Sequence, residues 1–504
     1  MIATPQSRAM FRTTAWAVRT ARATPMRTMP SRAQTNGRIA DPEVSVLTPP
    51  MPNDTRQRLV IIGSGWAGYN VLRGIDHNKY KVVVVSPRGY FVFTPLLASC
   101  AVGTLEFSAV VEPVRGAGKP WFKLDTLVLQ KSRLLRRLFG SKVSTDDYEH
   151  VKLVQSNARA VDFERKRVYL GDAAAKAPTY VPYDKLVIAA GCRSQTFGIP
   201  GVREYAHFLK DITDAFDLRK KVLACFEAAS MDTASIERKR ELLNFCIVGG
   251  GPTGVEYAAE LHDLVQEDLT KYFPDLIQHV RITIFDVAKG ILTSFDEKLS
   301  GYAEEHFRRQ QIRVRGSVHV TEVRPNELVL EGGSEVVKYG VLLWSTGLAP
   351  SELVANITDV VKDPKGSIVT DEFLRVLRPG PHGTVVDRNV YALGDCAQIR
   401  NGLLPATAQV ATQKATYLFK RLNQTPSSDL ERFAPFAFKN RGVMAYIGGW
   451  QAIVQGQNNE VKGRTAWLLW RGAYMSMSVS IRNKILIPTL WFLSWMFGRD
   501  ISRF

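Results

Sequence analysis

Apolar positions along this chain fall into short unbroken runs that alternate with longer stretches of helical period, and that succession predicts an α/β architecture. The runs RLVII at 58–62, KVVVV at 81–85, KLVIA at 185–189, NFCIV at 244–248, RITIF at 281–285, VLLW at 341–344 and NVYAL at 389–393 read as strands. The segments that follow 62 and 248 carry a helix period. The last forty residues break the pattern, mixing apolar and cationic positions with tryptophans and no strand-like run.

Two of the strand–helix junctions carry glycine at matching spacing. Residues 58–70, RLVIIGSGWAGYN, place Gly63, Gly65 and Gly68 in GxGxxG register, and residues 244–258, NFCIVGGGPTGVEYA, repeat it with Gly249, Gly251 and Gly254. The first glycine allows a tight turn, the second lets backbone approach a pyrophosphate, and the third packs helix on strand. The helix N-terminus then faces the phosphates. Two such units predict two bound dinucleotides. The strand after the first unit ends in Ser86, whose hydroxyl can bond a ribose. The strand after the second ends at Asp286, which accepts from a ribose 2′-OH and repels a 2′-phosphate, so that site should prefer NADH to NADPH. Three further strands end in small residues that let backbone pass close to a dinucleotide: Ala190 and Gly191, Thr346 and Gly347, and Gly394 followed by Asp395. Asp395 is placed to accept from a ribityl chain.

Composition narrows the setting. The 504 residues are enough for about three domains, and the formal charge of +18 gathers largely at the two ends, so it does not indicate a nucleic-acid partner. The first 40 residues hold seven arginines, Arg8, Arg12, Arg19, Arg22, Arg27, Arg32 and Arg38, and no acid before Asp41. That is the composition of a mitochondrial presequence, assigned to residues 1–50. Five cysteines without a CxxC or CxxxxC pair indicate neither a disulfide framework nor a zinc site, and no metal is expected. No DxDxDG-type calcium loop occurs either. The tail 464–504 combines Trp467, Trp470, Trp491 and Trp495 with Arg471, Arg482, Lys484 and Arg499. It is too short in apolar residues to span a bilayer and predicts two helices flanking Pro488 that lie in the membrane plane.

In this order the five elements resemble the two-dinucleotide-binding-domain flavoproteins. The strings FTPLL, AGCRSQTFGIPGV, GGGPTGVEYAAEL and TAQVATQ resemble, within them, the type II alternative NADH:ubiquinone oxidoreductases of mitochondria. The resemblance implies two Rossmann-like domains, an NADH domain at 211–354 inserted in a FAD domain at 57–210 and 355–430, and a membrane-anchoring module at 431–504. It implies that Gly63, Gly65, Gly68, Ser86, Ala190, Gly191, Gly394 and Asp395 hold non-covalent FAD, with Thr94, Pro95 and Leu96 beside its ring system. Gly249, Gly251, Gly254, Asp286, Thr346 and Gly347 would hold NADH. Glu256 would position the reacting rings, and Gln409 and Gln413, i and i+4 on one helix, would meet the ubiquinone. The implied activity is NADH oxidation by ubiquinone without proton pumping, as a homodimer peripheral to the mitochondrial inner membrane; the lack of a second apolar stop signal favours the matrix face over the intermembrane space.

This chain departs from that pattern at Lys414, where the family often continues with Glu. The basic stretch 116–150 looks like an insertion, more readily a solvated loop than a membrane contact. Two other functions share the fold class. A sulfide:quinone oxidoreductase needs cysteines facing the flavin, which Cys192 and Cys396 would have to supply, and a signalling flavoprotein of the apoptosis-inducing kind would need neither the TAQVATQ helix nor the C-terminal module.

Overall fold

The computed structural model describes residues 45–47, 54–117, 151–171, 179–424, 430–457 and 459–502. The arginine-rich leader and most of the basic 116–150 stretch lie outside them. The first unit opens with β1 (Gln57–Ile62), α1 (Trp66–Gly74) and β2 (Tyr80–Val85), followed by β3 (Val151–Val154) and β4 (Lys185–Ile188). Leu59, Val60 and Ile61 are fully buried, so both faces of β1 meet protein and its apolar run does not alternate.

The chain then enters α2 (Ile212–Ser230), whose start is fixed by a capping box between Asp211 and Asp214. The second unit follows as β5 (Asn244–Val248), α3 (Pro252–Leu264), β6 (Arg281–Phe285), β7 (Arg313–Arg315) and β8 (Val341–Trp344). These strands form a parallel sheet in the order β7-β6-β5-β8. The end of α3 widens into a π-turn at Val265–Leu269.

The chain returns to the first sheet through β9 (Ile368–Thr370), β10 (Arg375–Gly380), β11 (Gly383–Ala392) and β12 (Ala397–Ile399), giving eight strands in the order β12-β9-β10-β11-β4-β1-β2-β3. Strand β4 pairs in parallel with both β1 and β11, Ile188 lying beside Ile62 and Ala392. The carboxyl ends that carry Gly63, Ala190 and Gly394 therefore stand side by side. A short antiparallel ladder, Cys192–Ser194 against Leu348–Pro350, links the segments leaving the two sheets.

Helix α4 (Ala408–Gln424) packs on α1, and the chain ends in a meander, β13 (Val443–Gly448), β14 (Gln451–Gln455) and β15 (Glu460–Gly463), followed by α5 (Arg464–Met477) and α6 (Ile481–Phe497). Pro488 does not separate the last two helices, as the sequence pattern suggests, but lies within α6. The break falls at 478–480, where the Ser480 hydroxyl accepts from the Asn483 N–H and caps α6. Trp470, Tyr474, Ile487 and Trp491 turn inward, whereas Leu468, Ile485, Trp495 and Phe497 face out, between 63% and 75% exposed. Among the described residues no helix is long and apolar enough to cross a membrane.

Candidate active site

The two glycine loops adopt the same geometry. Gly63 has φ +101°, and a Cβ there would lie 2.3 Å from the Ala189 carbonyl oxygen. Gly249 has φ +114°, with a Cβ position 2.9 Å from the Ser345 carbonyl. Any other side chain would be strained and would push the neighbouring strand away. Gly68 and Gly254 sit against the carbonyls of Gly63 and Gly249, at 2.0 and 2.1 Å from a hypothetical Cβ. Gly65 and Gly251 differ from both: nothing lies within 4 Å of their Cβ positions. The space a side chain would fill is open in front of helices whose first turns contain no acidic residue and whose caps make no side-chain bond. Each loop thus offers bare backbone N–H groups and a helix N-terminus, a fit for a pyrophosphate in both units.

Around the first loop, Trp66 donates through Nε1 to the Thr94 hydroxyl at 2.9 Å, fixing the FTPLL turn against α1. Thr94 is exposed and Pro95 half-buried, whereas the Leu96 side chain is wholly buried in the core. Ser86 is also buried. Its hydroxyl pairs with the Ser64 hydroxyl at 2.9 Å and accepts from the Arg88 N–H, which joins the end of β2 to the glycine loop. Gly394 has φ +82°, and a Cβ there would lie 3.1 Å from the Ala67 methyl. Asp395 accepts from the Cys192 thiol at 3.1 Å, and that thiol accepts from Lys210 Nζ at 2.9 Å.

Around the second loop, Asp286 accepts from the backbone N–H of Gly250 at 2.5 Å and of Ala288 at 2.7 Å. Those bonds hold its carboxylate at the tip of β6, beside the glycines. Thr346 follows β8, and its hydroxyl oxygen is buried without a hydrogen-bond partner. Gly347 has φ +54° and packs against the Phe197 ring.

Glu256 lies one turn into α3 and is buried. Its carboxylate accepts from the Tyr446 N–H at 3.1 Å and from the Trp470 indole at 3.3 Å. Burial is the main influence on it and pushes its pKa up to about 8, opposed by those two bonds, so the group is largely protonated at neutral pH. The glutamines of α4 are differently committed than their spacing suggests. Gln409 accepts from the Arg441 N–H at 2.9 Å and donates to the Gly442 carbonyl at 3.3 Å, while Gln413 accepts from the Lys439 N–H at 3.0 Å and donates to its carbonyl at 2.8 Å. Both amides grip the 439–442 backbone as a strand would, leaving each one N–H to offer a ligand.

Residues 57–415 match the family described as pyridine nucleotide-disulphide oxidoreductase, and residues 440–500 match the NDH2 C-terminal domain. The chain belongs to the pyridine nucleotide-disulphide oxidoreductase family, in its NDH2 branch. An internal alternative NAD(P)H-ubiquinone oxidoreductase A1, mitochondrial, of Arabidopsis thaliana is 36% identical, over 90% of this chain and 87% of the relative. An external NADH-ubiquinone oxidoreductase 2, mitochondrial, of Saccharomyces cerevisiae is 34% identical, over 89% and 82%. The structure of NDH2 from Plasmodium falciparum in complex with NADH superposes with a TM-score of 0.77 at 25% identity, covering 89% of this chain and all of that one.

Beyond the residues that spacing singles out, this NDH2 chain buries two more acids on the same helix. Glu260 accepts from the Ser99 and Thr104 hydroxyls, and Asp263 accepts from the Tyr446 hydroxyl and the Gly449 N–H. The signal was available: Glu256, Glu260 and Asp263 stand i, i+4, i+7 on the face of α3 that should be apolar. The cysteines are not gathered into a pair that could oxidise sulfide. Cys396 is buried against the Ile188 and Leu393 carbonyls, Cys100 is buried in the core, and burial and the Asp395 carboxylate push the Cys192 thiol up to about 12, which keeps it protonated. Lys414, the departure from the family pattern, is fully buried behind α4 and donates to the Ala397 carbonyl at 3.1 Å. Its helix position carries it to the strand side, away from the face that holds the glutamines.

Proposed function

We propose that this NDH2 chain oxidises NADH and reduces ubiquinone through a single bound flavin, with no proton translocation. The observation that carries the reading is the pair of matching glycine loops, each with open space at its second glycine, on two sheets whose carboxyl ends are tied together by the ladder 192–194 with 348–350. FAD supplies the hydride and electron chemistry when bound. The first loop, with Ala190, Gly191, Gly394 and Asp395, holds its pyrophosphate and ribityl portion. The second loop, with Asp286, Thr346 and Gly347, holds NADH, and the carboxylate at the tip of β6 selects against a 2′-phosphate. Glu256 is kept neutral beside the meeting point of the two loops and orients the rings rather than charging them. Gln409 and Gln413 present their spare N–H groups to a quinone carbonyl while fixing the segment that enters the C-terminal module.

The module supports a seat on the inner mitochondrial membrane. Its outward Leu468, Ile485, Trp495 and Phe497 form an apolar face suited to the headgroup boundary, and ubiquinone dwells in that bilayer. The reading includes the matrix face, favoured by the lack of a second apolar stop signal in the sequence, and a homodimer through the module, which rests on the resemblance. Anaerobic titration tests the reaction: NADH should bleach the flavin band, NADPH should do so much more weakly, and a short-chain ubiquinone should restore it at once. Bleaching by sulfide in place of NADH, or no recovery on quinone, would overturn the proposal. Protease protection in intact mitochondria decides the face, and sedimentation in detergent decides the dimer.

A further inference from the structure

A cavity of about 350 Å³ lies between α5, α6 and the π-turn that ends α3. Trp470 lines it and bonds to Glu256, but Glu256 itself does not reach it. Its dominant group is Arg471. The guanidinium is sandwiched between two indoles, 4.1 Å from the centre of the Trp467 ring and 4.6 Å from that of Trp491. Its Nε is buried without a hydrogen-bond partner, and no carboxylate pairs with Arg471 among the described residues. The acids near it are already engaged. Glu260 is turned to Ser99 and Thr104, and Glu267 and Asp268 take Arg499 at 2.7 Å each.

A half-buried guanidinium without a counter-ion costs free energy that an anion recovers, and with both faces covered only its N–H edge is open. That edge matches a pair of anionic oxygens, a phosphate above all. Arg499 and Lys271 also line the cavity beside Glu260, Glu267 and Asp268. Arg499 is held by its acids, whereas Lys271, its side chain 60% exposed, meets Asp268 only at 3.5 Å and can swing its ammonium toward a phosphate. Trp495, Met496 and Phe497 also line the cavity and are themselves exposed on the outward face of α6. A neutral quinone would leave the guanidinium uncompensated, and a soluble anion would leave the aromatic residues uncovered. We propose that this cavity is a binding site for an anionic phospholipid, Arg471 and Lys271 taking the phosphate while Trp495 and Phe497 border the acyl chains. The site rests on the reading that the α5–α6 face lies on a bilayer.

The test uses the full chain with vesicles of phosphatidylcholine alone and of phosphatidylcholine with one-fifth phosphatidylglycerol, read by co-flotation, tryptophan emission and Tm. Both vesicles should float the protein, and only the anionic one should raise Tm and change the emission. Arg471→Gln should lose that added response while still floating on neutral vesicles. Lys271→Glu, on an exposed side chain that the core does not need, should weaken the phosphatidylglycerol dependence about tenfold. An equal response to both vesicles overturns the phospholipid site and spares the membrane reading. The same shift with inorganic phosphate alone, or its displacement by a short-chain ubiquinone, also overturns it. If neither vesicle floats the protein, the membrane reading itself fails, and detergent-dispersed short-chain phosphatidylglycerol then probes the cavity directly, where no shift overturns the site.

Discussion

The Trp470 indole donates to the Glu256 carboxylate at 3.3 Å, so the C-terminal module and the helix of the second glycine loop share one buried acid. Because burial lifts Glu256 to about 8, the folded chain holds a proton there that the unfolded chain releases near its ordinary carboxylate value. The stabilisation is complete below the unfolded value and is lost as pH rises through about 8. Thermal unfolding followed from pH 5 to 9 should show that decline, on the order of 4 kcal/mol. Glu256→Gln, which retains an acceptor for Tyr446 and Trp470, should flatten it. A variant with an unchanged slope would show that the acid is already ionised at neutral pH.

The second glycines separate folding from binding. Gly65→Ala and Gly251→Ala add a methyl to open space, so both proteins should fold, Gly251→Ala with near wild-type Tm and Gly65→Ala with a Tm lowered by the missing flavin and restored by added FAD. Gly65→Ala should be purified depleted of flavin. Gly251→Ala should keep its flavin band but need ten to a hundred times more NADH to bleach it, on the order of 1–3 kcal/mol of lost binding. Gly63→Ala, at φ +101° and 2.3 Å from a carbonyl, should instead fail to accumulate as folded protein.

Asp286 should govern the choice of nucleotide. Asp286→Asn removes the charge that repels a 2′-phosphate and keeps an acceptor for only one of the Gly250 and Ala288 N–H groups, which bond to different carboxylate oxygens. The ratio of kcat/KM for NADH over NADPH should fall about tenfold or more, chiefly through better use of NADPH. An unchanged ratio would place the discrimination elsewhere.

Removing the α4 amides should divide the two half-reactions. Gln409→Ala and Gln413→Ala each delete two bonds to the 439–442 backbone, at a cost of about 1–2 kcal/mol of local stability. Rapid mixing should show NADH bleaching the flavin at the wild-type rate and quinone reoxidising it at least tenfold more slowly. Slowing of both phases alike would mark the glutamines as general scaffolding.

What the chain reveals without its structure is what local spacing encodes. Both glycine loops, the strands that precede them and Asp286 at the end of β6 follow from short-range pattern, because a turn, a strand end and a helix start are set by neighbours within a few residues. The partners of Gln409 and Gln413 lie about thirty residues downstream in an irregular segment, and no period announces them. The Cys192, Lys210 and Asp395 cluster is drawn from three distant elements. Pro488 misleads about the helix break because the Ser480 cap, a weaker signal in sequence, decides where α6 begins.

The buried acids of α3 bear on how the proposed membrane-facing surface could be removed. Tyr446, Gly449 and Trp470, all C-terminal to residue 440, supply donors to Glu256 and Asp263. A shortened chain ending before the meander would therefore uncover carboxyl groups that the nucleotide-binding core keeps out of water, and would lose the enzyme along with its stickiness. A form without that surface has to be recoloured rather than cut, with Leu468, Ile485, Trp495 and Phe497 exchanged for polar residues and the inward Trp470, Tyr474 and Trp491 left alone.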